Sequence, residues 1–404
     1  MVEFESARLQ VLKNTHVLGS KTITLDECDG YVLAEKIVTK EPIPLFDSSA
    51  VDGYGVRYQD IEGASEKSPV RLSLGGMVRA GDRGNIKIKK NSAVKIFTGA
   101  PVPQSASAVV MKEVTEEMDG VVLIKKAATK DQNIRKKGEE FGKGRTIFKP
   151  GTYISPSVVA MLASLGSTRF KVYKKPRVSL IITGNEIKHP SARLKKGQIR
   201  DSNSYALSSA LRSLAIENIN VVHSNDTKPD TRKAFTKSLR QSDVVISVGG
   251  VSVGEYDLVK DVLSDIGVKQ IFWKVAMKPG KPNYFGVKDK KLVFGLPGNP
   301  VSAMVSYYTL IRPSLLKMMG VPEPSPFTLQ ARLTERITKK PERMEFVRGI
   351  MERGNDGELY VNPAKGQDSH MIGGMAKANC LIYFPKGSRL LNAFSIVEVE
   401  MLQW

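Results

Sequence analysis

Cysteine and histidine are scarce in this sequence, and their scarcity excludes several classes of site. The 404 residues include two cysteines, Cys28 and Cys380, and four histidines that lie far from one another. Two distant cysteines do not build a disulfide framework or a C-x-x-C metal site, and isolated histidines do not form a His-rich zinc site. This composition is typical of a reducing compartment, so we expect a cytoplasmic protein.

Long apolar runs are missing too. No stretch of about 18 apolar residues occurs, which is the length that a membrane-spanning helix requires. The opening segment MVEFESARLQVLKN carries acids where a signal peptide needs bases and an apolar run. Internal repeats and low-complexity segments are absent as well, which argues against a repeat architecture and against disorder. We therefore expect neither membrane insertion nor secretion.

Negative charge is the minority charge. The chain has 61 Lys and Arg against 41 Asp and Glu, a formal net charge of +20. Such an excess first suggests a nucleic-acid partner, but the basic clusters are scattered and no RNA-binding aromatic motif or zinc-finger spacing accompanies them. A solvated basic surface or an anionic small molecule explains the charge as well. We therefore expect no nucleic-acid partner.

The chain separates into stretches of different pattern. Residues 1–45 and 141–174 contain helical stretches, whereas residues 46–140 consist of short β-like runs with Gly and Pro turns. Residues 175–321 alternate apolar strand-like runs with amphipathic helix-like runs. After the stiff linker PEPSP, residues 327–404 return to β-like pieces with turns, which predicts a small all-β domain at the end of the chain.

The alternation in residues 175–321 predicts a parallel sheet covered by helices on both faces, since such strands are continuous Val and Ile runs. The expected strands are 178–183, 219–224, 243–248, 271–277 and 292–296, and the expected helices are 202–215, 231–241 and 256–266. Asn299 and Pro300 have the residue types of a helix cap and first turn, and predict a long helix to about residue 319. In such sheets ligands bind beyond the carboxyl ends of the strands.

A glycine loop follows one of these strands at Gly249-Gly250-Val251-Ser252-Val253-Gly254. Glycines at this position let the backbone approach a ligand and present N–H groups to an anion. The dinucleotide fingerprint and the Walker loop do not fit the spacing. The G-x-S-x-G pattern of a hydrolase nucleophile does fit, although only His370 lies downstream to complete a triad. A phosphate cradle, a hydrolase and a plain strand–helix turn stay open from this motif alone.

Two further loops favour an anion. Lys278-Pro279-Gly280-Lys281-Pro282 predicts a rigid pocket with two cations, and the run from Gly295 to Ser302 opens the long helix. Carboxylates follow the same strand ends at Glu186, Asp226 and Asp257. Carboxylates beside a phosphate cradle usually hold magnesium, which needs few protein ligands. For Asp226 alone, a turn or helix cap is the more frequent role.

Ten motifs in one order identify a family. They are PLFDSSAVDGYGVR (44–57), IFTGAPVPQSASAVVMKE (96–113), NIRKKGEE (133–140), TGNEI (183–187), GQIRDSNS (197–204), GGVSVGEYD (249–257), KVAMKPGKP (274–282), GLPGNPVSA (295–303), FVRG (346–349) and GQDSH (366–370). Along its whole length the chain resembles the molybdopterin molybdenumtransferase family, to which bacterial and archaeal MoeA and the E domain of gephyrin belong.

The resemblance implies a multi-domain fold of the α/β plus β class. It consists of a discontinuous, elongated linker and dimerisation domain (1–45 and 141–174), an inserted mainly-β domain (46–140), a three-layer parallel-sheet molybdopterin-binding domain (175–321) and a C-terminal β-barrel-like domain (327–404). It also implies a homodimer and contact with the molybdopterin adenylyltransferase. A scaffold of the gephyrin E-domain type, without turnover, is the alternative that the same resemblance allows.

The activity that the resemblance implies is insertion of molybdenum from molybdate into adenylylated molybdopterin, with Mg2+, and release of AMP. Positions similar to the family's molybdate pocket are Lys278, Lys281, Ser302, Arg348 and Ser369. A tetrahedral dianion is well served by such cations and hydroxyl donors.

Other positions match the family's phosphate and metal sites. Those similar to its phosphate cradle and substrate loops are Gly250, Ser252, Gly254, Asn299 and Pro300, and the acids similar to its magnesium site are Asp257, Glu186 and Asp226. Asp52 and Thr98 match residues that face the cleft of the other subunit. The expected catalytic residues are Asp257, Lys278, Lys281, Asp52 and Glu186.

Overall fold

The computed structural model describes residues 1–250 and 258–402. The chain divides into two compact units, the first made of residues 1–35 with 150–404 and the second of residues 36–149. In the described residues no helix is both long and apolar enough to cross a membrane. The division into four domains expected from the sequence is finer than these two units and stays a prediction.

The second unit is built on a mixed six-stranded sheet, because its short Val and Ile runs place alternate side chains in a common core. Its strands, in spatial order, are Ala108–Met111, Gly53–Val56, Ser92–Ile96, Val70–Val78, Val121–Ile124 and Thr115–Met118. Shorter pairs join Ile37–Val38 to Thr146–Phe148 and Ser48–Ser49 to Ile134–Arg135. Short 3-10 turns lie at Tyr58–Ile61 and Lys112–Val114.

The first unit contains the expected α/β sheet. Its order is Ile219–Ser224, Val178–Thr183, Val244–Val248, Lys291–Leu296, Tyr284–Lys288 and Lys269–Trp273. The first four strands run parallel. Leu180 and Ile182 face one core and Ile181 faces another, so both faces of the sheet are covered and the expected three layers are present.

Helices form the outer layers of this sheet. One layer contains Asn203–Arg212 and the helix that begins at Pro300, and the other contains Lys228–Gln241 and Leu258–Asp265. The helix from Pro300 is continuous to Met318 but includes a π-helical turn at Tyr307–Ile311. The helices Phe4–Asn14 and Pro156–Ser164 and the strand pair Ser20–Thr24 with Arg169–Tyr173 complete the N-terminal part of this unit.

The predicted strand at 271–277 is wrong in its second half. The strand ends at Trp273, and Lys274 has a φ of 76°. The Ala276 backbone N–H then donates a hydrogen bond to the Val2 carbonyl, and Met277–Lys278 pairs with the strand that begins at Met344, which belongs to another sheet. An additional antiparallel strand, Tyr284–Lys288, lies between Lys269–Trp273 and Lys291–Leu296. The break depends on partners far away in sequence, so the local apolar pattern does not reveal it.

The C-terminal part forms a closed five-stranded barrel. It closes because Met344–Arg353 pairs with Leu359–Pro363 on one side and with Cys380–Phe384 on the other. The remaining barrel strands are Thr328–Leu333 and Ile396–Met401. A short helix, Ile372–Lys377, was not expected from the sequence. Two small pairs join Ile187–Lys188 to Ile199–Arg200 and Ile337–Thr338 to Leu390–Leu391, and a 3-10 turn lies at Leu25–Glu27.

Candidate functional site

A cavity of about 1020 Å³ lies at the carboxyl ends of the parallel strands. Several loops expected from the sequence to bind substrate contribute to its wall. The wall includes Thr183, Gly184, Glu186, Asp226, Gly249, Gly250, Pro297, Gly298, Asn299, Pro300 and His370. The parallel topology brings these residues together, since the four strand ends meet at one edge of the sheet.

The glycine loop needs its first two glycines for steric reasons. A Cβ atom on Gly249 would lie 2.7 Å from Thr183 Oγ1, and one on Gly250 would lie 2.7 Å from Val259 Cγ2. Both residues also have positive φ angles, of 91° and 66°. Ser252, Gly254 and Asp257 lie outside the described residues, so the phosphate cradle and the magnesium role of Asp257 stay predictions.

Glu186 and Asp226, two of the acids expected to bind magnesium, line this cavity. Asp226 is held by a reciprocal contact, in which the Asn185 N–H donates to Asp226 Oδ2 (3.3 Å) and the Asp226 N–H donates to Asn185 Oδ1 (3.4 Å). Outside residues 251–257, no three His, Cys, Asp or Glu side chains cluster closely enough to hold a metal. A cation on these two carboxylates would keep several waters, which is the habit of Mg2+.

The two lysines of the KPGKP loop have different surroundings. Lys278 Nζ lies 2.7 Å from Glu345 Oε1, and the Glu345 side chain is only 16% exposed. Lys281 is exposed, and no acidic partner for it occurs in the parts of the chain that are described. Neither lysine lines the 1020 Å³ cavity, although the neighbouring Pro282 does. Of the two predicted cations, Lys278 is therefore paired with a carboxylate, whereas Lys281 has no such pair among the described residues.

Arg348 is a buried cation with unused donors. Its side chain lies in the barrel strand Met344–Arg353, and the residue is 1% exposed. Nη2 donates to the carbonyls of Gly366 (2.6 Å) and Asp368 (3.4 Å). Nε and Nη1 are buried and have no hydrogen-bond partner among the described residues. Burial lowers the pKa of the guanidinium, and the charge of Asp368 partly offsets that effect.

The loop that binds Arg348 also reaches the cavity. Asn299 Nδ2 donates to Ser369 Oγ at 3.0 Å, and both Asn299 and His370 line the cavity. Ser302, in contrast, is buried in the helix that begins at Pro300 and is not part of the cavity wall. Arg348 and Asn299 thus bind consecutive residues of one loop, Asp368 and Ser369. Ser302 does not line the cavity beside this loop.

In the second unit, Asp52 and Thr98 contact each other. Asp52 Oδ1 accepts from the Thr98 backbone N–H (2.9 Å) and from Thr98 Oγ1 (2.7 Å). These hydrogen bonds hold the pKa of the exposed Asp52 carboxyl below its usual value. The two residues that match the family's pattern therefore contact each other, while their place opposite a partner's cleft stays a prediction.

A second cavity, of about 680 Å³, was missed by the sequence reasoning. It shares Gly184, Ile187 and Asp201 with the first cavity. Asp201 is buried and accepts from Ser204 Oγ (2.5 Å) and His223 Nε2 (2.9 Å). Asp201 and Ser204 belong to the quoted GQIRDSNS motif, so the motif itself was the available signal.

Three family models match consecutive parts of the chain. They are the MoeA N-terminal region (domain I and II) at residues 2–166, the probable molybdopterin binding domain at residues 179–317 and the MoeA C-terminal region (domain IV) at residues 330–402. Together they follow the order in which the motifs occur in the sequence.

Full-length relatives agree with these models. The chain is 34% identical to a molybdopterin molybdenumtransferase of Haemophilus influenzae over 99% of this chain and 98% of the relative, and 31% identical to one of Staphylococcus aureus over 100% and 96%. Two structures of a molybdopterin biosynthesis MoeA protein from Pyrococcus horikoshii superpose with TM-scores of 0.81 and 0.85 at 32% and 27% identity, over at least 99% of each chain. The chain therefore belongs to the molybdopterin molybdenumtransferase family, a family of transferases in molybdenum cofactor biosynthesis.

Proposed function

We propose that this chain inserts molybdenum from molybdate into adenylylated molybdopterin and releases AMP. The observation that carries the proposal is the buried Arg348 guanidinium, whose Nε and Nη1 have no partner in the described residues. Buried polar groups are normally hydrogen-bonded, and a guanidinium is the side chain that best matches an oxyanion. A bound molybdate would supply the missing acceptors.

The other residues of the proposed oxyanion pocket differ in whether their donor groups are free to bind an anion. Ser369 offers a hydroxyl next to Asn299 at the cavity, and Lys281 offers an exposed ammonium. Lys278 contributes less charge, because Glu345 neutralises it in the described structure. A tetrahedral dianion would therefore be held mainly by Arg348, Ser369 and Lys281.

The nucleotide substrate has two parts, and two adjoining cavities are available for it. They measure about 1020 and 680 Å³ and share a wall at Gly184, Ile187 and Asp201. Gly249 and Gly250 lie in the larger cavity, where their small size lets a phosphate approach the backbone. We propose that the pterin and the adenylyl group divide these two spaces.

Glu186 and Asp226 are the described residues that would hold Mg2+, with Asp257 from outside the described residues. When bound, the cation would neutralise the phosphoanhydride oxygens. The protein side chains place the oxyanion beside the dithiolene of the pterin and hold it there by charge. Molybdate, or a water that it positions, assists hydrolysis of the phosphoanhydride, so that AMP leaves and the pterin keeps the other phosphate. The two dithiolene sulfurs then bind molybdenum in place of an oxo ligand, which leaves with two protons as water.

A direct assay tests this function. The protein is mixed with adenylylated molybdopterin, Mg2+ and either molybdate or tungstate, and AMP release is measured. We expect release that depends on the oxyanion, and comparison of the two arms gives the metal preference, because both oxyanions have the same shape and charge. Absence of oxyanion-dependent AMP release would favour a scaffold of the gephyrin E-domain type instead.

The magnesium assignment predicts the effect of two substitutions. Glu186→Gln or Asp226→Asn should each raise the Mg2+ concentration for half-maximal AMP release by about tenfold, since each removes about 1.4 kcal/mol of cation affinity. Glu217→Gln is the control, because Glu217 precedes the strand Ile219–Ser224. It therefore lies at the amino ends of the parallel strands, away from the cavity at their carboxyl ends. If Glu186→Gln and Asp226→Asn both keep the wild-type Mg2+ concentration for half-maximal AMP release, the magnesium assignment is contradicted.

We also propose that the chain works as a homodimer, in which Asp52 and Thr98 of one subunit face the cleft of the other, and that it contacts the molybdopterin adenylyltransferase in the cytoplasm. The family membership supports this arrangement. Light scattering of the purified protein measures the subunit number, and a monomer would contradict the proposal.

A further inference from the structure

We propose that Gln367 is a positioning residue that holds Arg348 in the orientation an oxyanion requires. The inference rests on the proposed oxyanion role of Arg348 and assigns a task to a residue that contacts no substrate. Gln367 belongs to the GQDSH motif, in which the resemblance assigns a role to Ser369 but none to Gln367.

The Gln367 side chain binds the Arg348 backbone at two points. Its Oε1 accepts from the Arg348 N–H (3.1 Å), and its Nε2 donates to the carbonyls of Arg348 (2.9 Å) and Ala364 (2.7 Å). The neighbouring barrel strand pairs Pro363 with Gly349 and ends there. The next residue, Ala364, still donates its backbone N–H to the Arg348 carbonyl (2.7 Å), but the Arg348 N–H and the Ala364 carbonyl are bridged by the Gln367 amide, which thereby completes this pair of the ladder.

The residues on both sides of Gln367 bind the Arg348 side chain. Nη2 of Arg348 donates to the carbonyl before Gln367, that of Gly366, and to the one after it, that of Asp368. Backbone and guanidinium of Arg348 are therefore held by the same short loop. Because Nη2 is fixed at one corner, the directions of the unpartnered Nε and Nη1 are fixed as well.

The same loop is limited on its other side by a helix. A Cβ atom on Gly374 would lie 2.7 Å from the carbonyl oxygens of Lys365 and Gly366, and 3.6 Å from Arg348 Nε. The loop has little room to shift in that direction. If the Gln367 amide were lost, the loop and the guanidinium would be free to reorient only towards the cavity side, where Ser369 binds Asn299.

A matched control is the contact between Asn379 and Met351, which lies on the same strand as Arg348. The Asn379 side chain accepts from the Met351 backbone N–H (2.7 Å) and donates to the Met351 carbonyl (2.8 Å). Met351 has no proposed part in substrate binding. Loss of the Asn379 amide therefore reports what such a contact contributes to the barrel alone, separately from the oxyanion pocket.

The test compares Gln367→Met, Gln367→Ala and Asn379→Ala in the full-length protein. Isothermal titration measures the Kd for molybdate, a second titration measures the Kd for adenylylated molybdopterin, and thermal unfolding gives the Tm. We expect both Gln367 variants to weaken molybdate binding by about tenfold, because a small misplacement of a binding group is costly. Their nucleotide Kd should stay at the wild-type value, and Asn379→Ala should lower the Tm without changing the molybdate Kd.

Two results would overturn the inference. If a folded Gln367 variant binds molybdate as the wild type does, the amide does not position Arg348. If Asn379→Ala weakens molybdate binding as much as the Gln367 variants, the effect belongs to barrel stability. The outcome that concerns the proposed function is different: a wild-type protein that fails to bind molybdate would remove the oxyanion pocket itself, and the role of Gln367 with it.

Discussion

Replacement of Arg348 by methionine is expected to abolish measurable molybdate binding while the protein becomes more stable. Charge-assisted hydrogen bonds contribute about 1.5–3 kcal/mol each, so loss of two weakens binding by at least about 100-fold. In the free protein the same two donors are buried and unpartnered, and each such group costs about 1–3 kcal/mol. Methionine fills the space of the arginine stem without that cost. The Gly366 and Asp368 carbonyls, which lose their Nη2 donor, belong to a partly exposed loop where water can replace it, so the Tm should rise.

The opposite signs of the two effects make the experiment decisive. Titration with molybdate measures the first effect and calorimetric unfolding measures the second. Arg332→Met is the control, because Arg332 lies in the same barrel, is 40% exposed and makes a 3.5 Å ion pair with Glu358. It removes the same charge, and neither quantity should change. A destabilised Arg348→Met protein with unchanged molybdate binding would show that the arginine is structural.

The α/β sheet was largely predictable because its central strands are buried on both faces. The run at 178–183 coincides with Val178–Thr183, whose residues alternate between two cores, and the run at 219–224 coincides with the partly buried edge strand Ile219–Ser224. The failure at 271–277 has the opposite cause. There Lys274 and Ala276 form backbone hydrogen bonds with Val2, near the other end of the chain, which no local sequence window contains.

The candidate site shows the same division. Glu186, Asp226 and Gly249 were predicted to lie together because each directly follows a parallel strand, and all three line one cavity. The pairing of Lys278 with Glu345 was not predictable, because 67 residues separate them and they become neighbours only where Met277–Lys278 pairs with the barrel strand Met344–Arg353.

The sequence motifs contain the residues that the resemblance assigns to substrate binding. They do not show which neighbouring residues hold those side chains in place. Gln367 and Asp201 both lie inside quoted motifs. Their roles appear only from their contacts, with the Arg348 backbone in one case and with Ser204 and His223 in the other. A resemblance alone therefore predicts the substrate-binding residues, and the structure adds the residues that position them.

Replacement of Glu400 by glutamine is expected to stabilise the protein at neutral pH but not in acid. Glu400 is 1% exposed and accepts a hydrogen bond from Tyr383 Oη at 2.7 Å. Burial raises the pKa of this carboxyl above its usual 4.5, and the hydrogen bond from Tyr383 and the charges of Arg312 and Arg8 offset only part of that rise. Glutamine keeps an acceptor for Tyr383 and carries no charge.

The direction of the pH dependence follows from linkage. Because the pKa is raised by folding, the protonated carboxyl stabilises the folded protein fully below pH 4.5, and this contribution is lost as the pH rises through the folded-state pKa. At pH 7 to 8 we expect Glu400→Gln to raise the free energy of unfolding by about 1–3 kcal/mol, whereas at about pH 4 the two proteins should be equal.

Urea unfolding at a series of pH values measures this difference. Glu398→Gln is the matched control, since Glu398 lies two residues earlier on the same strand and is exposed, and its effect should stay within about 0.5 kcal/mol at every pH. A Glu400→Gln protein that is less stable than the wild type at pH 7 would mean that the carboxylate is ionised and held by the charges of Arg8 and Arg312. In that case the electrostatic attraction, and not the burial, would dominate this end of the barrel.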